Sequence, residues 1–257
     1  MGHCVALGIP GKLFDFGCLR GVVLCTLDGK HDVKMYNSGI GFVDMERLWA
    51  DAHNMAARGE ITHFAMLHSD INPEAGWLDM LLEVMDERDA DLVSAVCPIK
   101  DNRGLTSTGI GDACDPWVPC RRFTVRDLAD MPDVFNAAEA GYPGRILLHN
   151  TGCWVADLRK PLFFETDDNG ELIAHLQFRQ RIIQDSKGEW GAQGESEDWF
   201  FSRALHMLNA NTFIARKVAL THRGPNDFPN NQSWGEYTKG DEDTRHKWDR
   251  KPVEQGV

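Results

Sequence analysis

The sequence predicts an α/β layered sheet, and three observations in its first hundred residues predict it. Short apolar runs recur at 4–9 (CVALGI), 61–67 (ITHFAML) and 92–99 (LVSAVCPI), and the last has no polar alternation, as expected of a strand covered on both faces. Between the second and third, and before the second, apolar residues recur at helical spacing. Turn formers at Pro10-Gly11, Asp28-Gly29 and Gly59 punctuate the pattern. Strands alternating with helices mean helices packed on the faces of a sheet.

Element by element, CVALGI is the first strand. Residues 13–25 are apolar at mixed spacing and read as a helix running into a second strand, and VKMY (33–36) is a further short strand. Asp44 is placed to cap a helix carrying Met45, Leu48, Trp49, Ala52, Met55 and Ala56, which Gly59 ends. After ITHFAML comes a polar turn, and Pro73 is expected to open the next helix, whose apolar face is Trp77, Leu78, Leu81, Leu82 and Met85. Residues 101–144 are rich in Gly, Pro, Asp and Arg, with one helical candidate near 124–131, and read as a long functional excursion rather than core. Regularity returns at 145–158, a helix is expected over 195–209 and a strand over 212–220. Beyond Gly224 the chain is polar and reads as a draped tail.

The chain has 257 residues, 42% of them hydrophobic and 26% charged, enough for one large domain or two small ones. It has no apolar run of about 18 residues, so no membrane span is expected. The opening MGHCVALGIPGK lacks a basic region followed by a long apolar stretch, so the expected location is the cytoplasm. Seven cysteines, an odd number, lie mostly in apolar patterns and read as buried thiols; Cys114 and Cys120, flanking DPWVP, suit either a zinc half-site or a disulfide. A net charge of −12 argues against broad affinity for nucleic acid or anionic membrane. A local basic groove is compatible with it, and Lys100, Arg103, Arg121, Arg122 and Arg126, or Arg216, Lys217 and Arg223, are the candidates.

Four stretches carry chemistry-bearing residues. His68-Ser69-Asp70 follows a strand, where an imidazole and a carboxylate two residues apart suit one divalent cation; the alternative is a surface turn with Asp70 capping the next helix. Glu197-Asp198 opens a helix, which suits either a general base in a cleft or acidic residues stabilised by the helix dipole. Thr221-His222-Arg223-Gly224 follows a strand, and His222 gains meaning only by returning to Asp70. Asn150-Thr151-Gly152 offers close backbone approach to a ligand, or a strand bulge.

The order and intervals of these stretches resemble those of GT-A glycosyltransferases. VDMERLWADAHNMAARGEITHFAMLHSDINPEAGWLDMLLEVMDERDADLVSAVCPIKD is similar to the nucleotide-sugar-binding half of phage and bacterial members of the type, family 2-like. LLHNTGCWVADLRKP, SEDWFFSRAL and VALTHRGPNDFPNNQSWGEY resemble the acceptor-side half, and the likeness covers roughly residues 4–237. It implies a mixed, mostly parallel, Rossmann-like sheet flanked by helices in one catalytic domain over 1–225. Its parts are a nucleotide-sugar half (1–100), an excursion (101–144) that closes over the donor, and an acceptor half (145–225), with a tail at 226–257.

The resemblance also assigns roles. The acidic metal motif, usually Asp-x-Asp, has His68 in its first position and Asp70 in its second, and His222 matches the late histidine, so Mn²⁺ or Mg²⁺ is expected on His68, Asp70 and His222. Asp198 matches the base that deprotonates the acceptor hydroxyl in inverting members, and Glu197 orients acceptor or base. Thr151 and Gly152 shape the pocket between donor sugar and acceptor. Leu7, Gly8, Ile9 and Pro10 match the region that cradles the nucleobase, Asp28 the residue that offers it a hydrogen bond, and Ser69 lies with the donor contacts. The implied donor is a nucleoside-diphosphate sugar, UDP-linked first; the acceptor is a modified base in phage DNA, a glycan or a protein. A sugar nucleotidyltransferase is disfavoured because GIPGK is too short for a glycine-rich phosphate loop. A metal-dependent hydrolase on His68, Asp70 and His222 and a non-catalytic binding protein are the other readings.

Overall fold

The computed structural model describes residues 2–11, 15–27, 29–38, 42–112, 121–184, 187–232 and 234–235. Strand β1 (Cys4–Pro10) shows the logic of the whole. Side chains alternate across a strand. Val5, Leu7 and Ile9 enter one apolar layer, formed with helices α1 (Phe16–Leu27) and α3 (Trp77–Arg88). Ala6 enters the other, formed with α2 (Phe42–Ala57) and α5 (Glu197–Met207). The next chain segments are β2 (Asp32–Ser38), β3 (His63–Leu67), β4 (Ile71–Pro73) and β5 (Leu92–Ala95). They are followed by β6 (Leu105–Gly111), β7 (Arg121–Thr124), α4 (Val125–Ala129), β8 (Val134–Phe135), β9 (Ile146–Leu148) and β10 (Cys153–Asp157). The last strands are β11 (Arg179–Gln184), β12 (Trp190–Glu195), β13 (Thr212–Ala215), β14 (Leu220–Arg223) and β15 (Asp227–Pro229).

The central sheet has the order β2-β1-β3-β10-β5-β13-β8. β2, β1 and β3 pair in parallel, as do β5 and β13, while β10 lies antiparallel to both β3 and β5 and β8 antiparallel to β13. This is the expected α/β architecture, a mostly parallel mixed sheet flanked by helices, consistent with a GT-A-like fold. The α2/α5 layer is dominated by aromatic side chains: Trp49, Phe64, Trp154 and Phe201 are all buried, with ring centroids 5.3–5.8 Å apart and largely edge-to-face. Gly8 makes room for this layer, since a Cβ there would lie 2.8 Å from Phe64 Cζ.

Several sequence expectations are corrected. α1 runs on to Leu27 and no strand follows directly; the second strand is β2. α2 starts at Phe42, so Asp44 lies in its first turn, where the helix dipole still favours it, and is not the cap. Pro73 ends β4, which pairs with β14, and α3 starts only after Gly76 turns the chain at φ 78°. β5 ends at Ala95 and β13 at Ala215, both shorter than their apolar runs.

The largest correction concerns 101–144. Its described residues form strands β6 and β7, which with β9 make a second, antiparallel sheet in the order β7-β6-β9, and β8, which extends the central one. Ile110, Phe123, Leu128 and Phe135 bury themselves against Val96, Leu147 and Ile214. The described part of this segment thus contributes to the core, because its sparse apolar residues converge from three short strands and α4. That helix is fixed by a reciprocal cap: Asp127 N–H donates to Thr124 Oγ1 (3.0 Å) and Thr124 N–H to Asp127 Oδ2 (2.9 Å). The expected tail also contributes structure: β15 pairs with β14, and buried Asn230 donates to the Val218 carbonyl at 2.8 Å and to the Val96 carbonyl at 3.0 Å. Residues 236–257, Asp28, Cys114 and Cys120 lie outside the described residues. The β11–β12 hairpin and a 3₁₀ turn at Pro161–Phe164 add elements that no sequence pattern announces. Cys18, Cys25, Cys97 and Cys153 are buried free thiols, as expected. No helix among the described residues is long and apolar enough to cross a membrane.

Candidate active site

β3 ends at Leu67, and a turn closed by Ile71 N–H on the His68 carbonyl (3.0 Å) leads into β4. β14 pairs with β4 so that His222 stands opposite Ile71, and Arg223 N–H donates to the Asp70 carbonyl (2.8 Å). This register brings two residues far apart in sequence together: His222 Nε2 lies 3.5 Å from Asp70 Oδ2. His222 Nδ1 is 2.7 Å from the Pro98 carbonyl. A carbonyl only accepts, so Nδ1 carries a proton and donates, and the ring is held with Nε2 towards Asp70. Lys100 Nζ also contacts Asp70 Oδ2. Burial alone would raise the Asp70 carboxyl, but the hydrogen bonds from His222 and Lys100 outweigh it and hold Asp70 well below the usual carboxylate range.

His68 does not join them. Its N–H donates to the Gly152 carbonyl (2.8 Å), and its ring nitrogen Nε2 is buried with no hydrogen-bond partner. Burial pushes the ring's pKa down, against the pull of the Asp198 and Asp70 charges, so the neutral imidazole is favoured. Among the described residues no three His, Cys, Asp or Glu side chains converge as a metal cluster. Asp70 and His222 thus approach one another, while His68 Nε2 stands apart from them without a hydrogen-bond partner. A carboxylate and an imidazole are donor types that could hold a divalent ion.

The second acidic group sits at the start of α5. Asp198 Oδ1 accepts two hydrogen bonds from Thr151, one from its N–H (2.8 Å) and one from its hydroxyl (2.5 Å). Thr151 is presented by a turn that Asn150 fixes: its Oδ1 accepts the N–H groups of Gly152 (3.0 Å) and Cys153 (3.2 Å), while its amide donates to the Ala95 carbonyl at the end of β5. Glu197 Oε1 lies 3.5 Å from the Thr151 hydroxyl. Burial and the neighbouring Asp198 charge raise Glu197 to about 8, so it is protonated at neutral pH. The 150–152 turn thus holds Asp198 through Thr151 and His68 through the Gly152 carbonyl, at the carboxyl ends of β3 and β5.

Other expected positions fall elsewhere. Leu7 and Ile9 turn their side chains into the core and Gly8 faces Phe64, so β1 offers a ligand backbone only; the Ile9 carbonyl already accepts from Asn37 (2.7 Å) and Pro10 is half-buried. Gly152 serves packing, because a Cβ there would lie 3.2 Å from Cys97 Sγ. The Ser69 carbonyl accepts from Asp15 N–H (2.8 Å). The candidate basic groove is spoken for: Arg103 pairs with Asp101, Arg121 with Asp127 and Tyr142, Arg216 with Asp133, and Arg223 with Asp227 and Asp15. Arg122 stacks on Trp199, next to Asp198, at 4.4 Å from the ring centroid. Sequence reasoning missed Lys100 as a partner of Asp70, Asn150 as the organiser of the turn, and Asn37. For Asn150 the signal existed, since Asn followed by small residues favours a side-chain-capped turn.

No family model matches the chain, and no curated protein matches it. Solved structures do. A197 from STIV matches at 11% identity and TM-score 0.50, over 92% of this chain and 99% of that one. S. aureus TarS 1–349, in complex with UDP-GlcNAc, matches at 10% identity and TM-score 0.35, over 82% of this chain and 55% of that one. Mannose-1-phosphate geranyltransferase from Thermus thermophilus matches at 10% identity and TM-score 0.35, over 64% and 60%. The chain therefore spans less than two thirds of the last two. At its identity the first likeness shows a shared fold and nothing finer, and the other two, at their TM-scores, carry no argument.

Proposed function

We propose that this chain is a glycosyltransferase that moves a sugar from a nucleoside-diphosphate donor to an acceptor hydroxyl with inversion. The observation that carries the reading is the 150–152 turn, which ties a carboxylate at Asp198 and the segment leading to Asp70 and His222 into one frame at the ligand-binding end of the sheet. Asp70 and His222 are the residues that would hold Mn²⁺ or Mg²⁺, which supplies charge neutralisation for the departing diphosphate.

Asp198 acts as general base, its Oδ1 fixed by Thr151 so that the other oxygen meets the acceptor hydroxyl. The acceptor oxygen forms a bond to the anomeric carbon, the bond from that carbon to the phosphate oxygen breaks, its electron pair leaves with the diphosphate, and the hydroxyl proton passes to Asp198. Glu197, protonated at neutral pH, is a hydrogen-bond donor that orients the acceptor. A UDP-sugar is the first donor to test; the acceptor classes are a modified DNA base, a glycan and a protein, and the cytoplasm is the proposed location.

The test is a thermal-shift screen with UDP, GDP and their sugars, with and without Mn²⁺, followed by mass spectrometry of hydroxymethylated DNA and oligosaccharides as acceptors. Asp198→Asn is expected to lose transfer by about 10²–10⁴-fold while keeping donor affinity. Normal transfer by Asp198→Asn overturns the base assignment. Phosphate or ester cleavage with no sugar-nucleotide requirement favours a hydrolase, and release of pyrophosphate from a nucleoside triphosphate and a sugar phosphate favours a nucleotidyltransferase.

A further inference from the structure

Both partners of the Asp70 carboxylate depend on one short segment. The Pro98 carbonyl orients His222, and two residues on, Lys100 brings its ammonium to the same oxygen. The backbone here is fixed by Ile99 N–H on the Leu105 carbonyl (2.9 Å) and Asp101 N–H on the Ile99 carbonyl (2.9 Å). The lysine stem has a prepared seat: it lies over Gly224, where a Cβ would come 3.1 Å from Lys100 Cδ and 3.5 Å from Cγ. The side chains of Lys100 and Asp70 are 34% and 39% exposed, so their pair is weak and the flexible four-carbon stem can leave it at little cost. Arg103, the next cation along the chain, is turned to Asp101, on which its Nε and Nη2 both donate to Oδ2.

We propose that Lys100 is a built-in cation at Asp70 that competes with a divalent ion for the carboxylate and, once released, binds the diphosphate of the ligand. An ammonium on a flexible stem suits this second role as a mobile point charge for phosphate. The diphosphate half rests on the function proposed above, whereas the competition at Asp70 does not.

The first experiment titrates Mn²⁺ alone into the full-length protein and reads free Mn²⁺ by electron paramagnetic resonance. Lys100→Met is expected to bind Mn²⁺ roughly three- to tenfold more tightly than the parent, because a positive charge beside the seat is gone. Lys100→Arg should stay near the parent, Asp70→Asn should lose binding, and Gly224→Ala, which crowds the lysine stem, should shift in the direction of Lys100→Met. Unchanged Mn²⁺ affinity in Lys100→Met overturns the competition. The second experiment measures inorganic pyrophosphate binding by calorimetry in the presence of EDTA. Lys100→Met is expected to weaken it roughly tenfold, the size of one charge-assisted hydrogen bond, and equal affinity overturns the phosphate role. If pyrophosphate and Mn²⁺ behave as stated but UDP and GDP do not bind, the sugar-nucleotide reading fails and the Lys100 inference stands.

Discussion

Replacing Glu197 with glutamine tests whether this carboxyl is held protonated. Glutamine keeps the shape and the neutral charge of the protonated acid and removes its titration. Burial and the Asp198 charge raise Glu197 from 4.5 to about 8 in the folded protein. A raised carboxyl binds its proton more tightly in the native state than in the unfolded chain, so its contribution is full at low pH and is lost as pH rises from 4.5 towards 8. Glu197→Gln loses nothing over that window. The linkage relation gives the variant an advantage that grows with pH, about 1 kcal/mol at pH 5 and about 4 kcal/mol at pH 8, since a tenfold difference in proton affinity between the two states is worth about 1.4 kcal/mol. Urea unfolding of both proteins between pH 5 and 8, followed by circular dichroism, reads the difference directly. A gap that stays constant across that range refutes the argument, because a pH-independent difference reports packing and not proton affinity. Under the proposed mechanism the activity of the parent should fall as pH rises through about 8 while Glu197→Gln stays flat on that side.

Three further outcomes follow from the geometry. Thr151→Val removes the hydroxyl donor on Asp198 and leaves the N–H donor, so kcat should fall about 10–100-fold with donor KM unchanged, measured by initial rates; a change in KM alone contradicts it. Buried His149 sits between Ser94 Oγ and Thr212 Oγ1, each at 2.9 Å, and burial lowers it to about 3; burial likewise lowers His63 to about 4. A depressed histidine favours the neutral form in the fold, so stability is full above the unfolded value of 6.5 and falls as pH drops below it, a decline that His149→Gln should make shallower in urea titrations. Gly8→Ala pushes a Cβ into Phe64 and should destabilise by about 1–3 kcal/mol in the same assay.

What is legible in the sequence follows from local rules. CVALGI, ITHFAML and LVSAVCPI announce buried strands because a strand covered on both faces has no polar side to show. Asp70, Asp198 and His222 stand out because each adjoins an apolar element, although capping and the helix dipole account for polar residues at such places as readily. The segment 101–144 hides its nature because its core comes from single apolar residues, Ile110, Phe123, Leu128 and Phe135, brought together by non-local pairing that leaves no period in the chain. His68 shows what spacing leaves open: it places the residue near Asp70, while only the fold ties its N–H to the Gly152 carbonyl and leaves its Nε2 buried without a partner. Lys100 is visible only as one charge in a basic cluster, since its partner is chosen by the seat over Gly224.

The reversed strand β10 has a consequence for how the molecule assembles. It fills the gap between β3 and β5, so residues 1–100 cannot close their own sheet until residues 153–157 have been made and threaded between them. Until then β3 has one unpaired edge and β5 two, since β13, its other neighbour, is made later still. The halves named from sequence thus share one sheet, and the turn that leads into β10 is the same turn that carries Thr151. Closing the sheet takes longer still, because β13 must also pair with β5, and Thr151 meets its carboxylate only after residue 198 has been made.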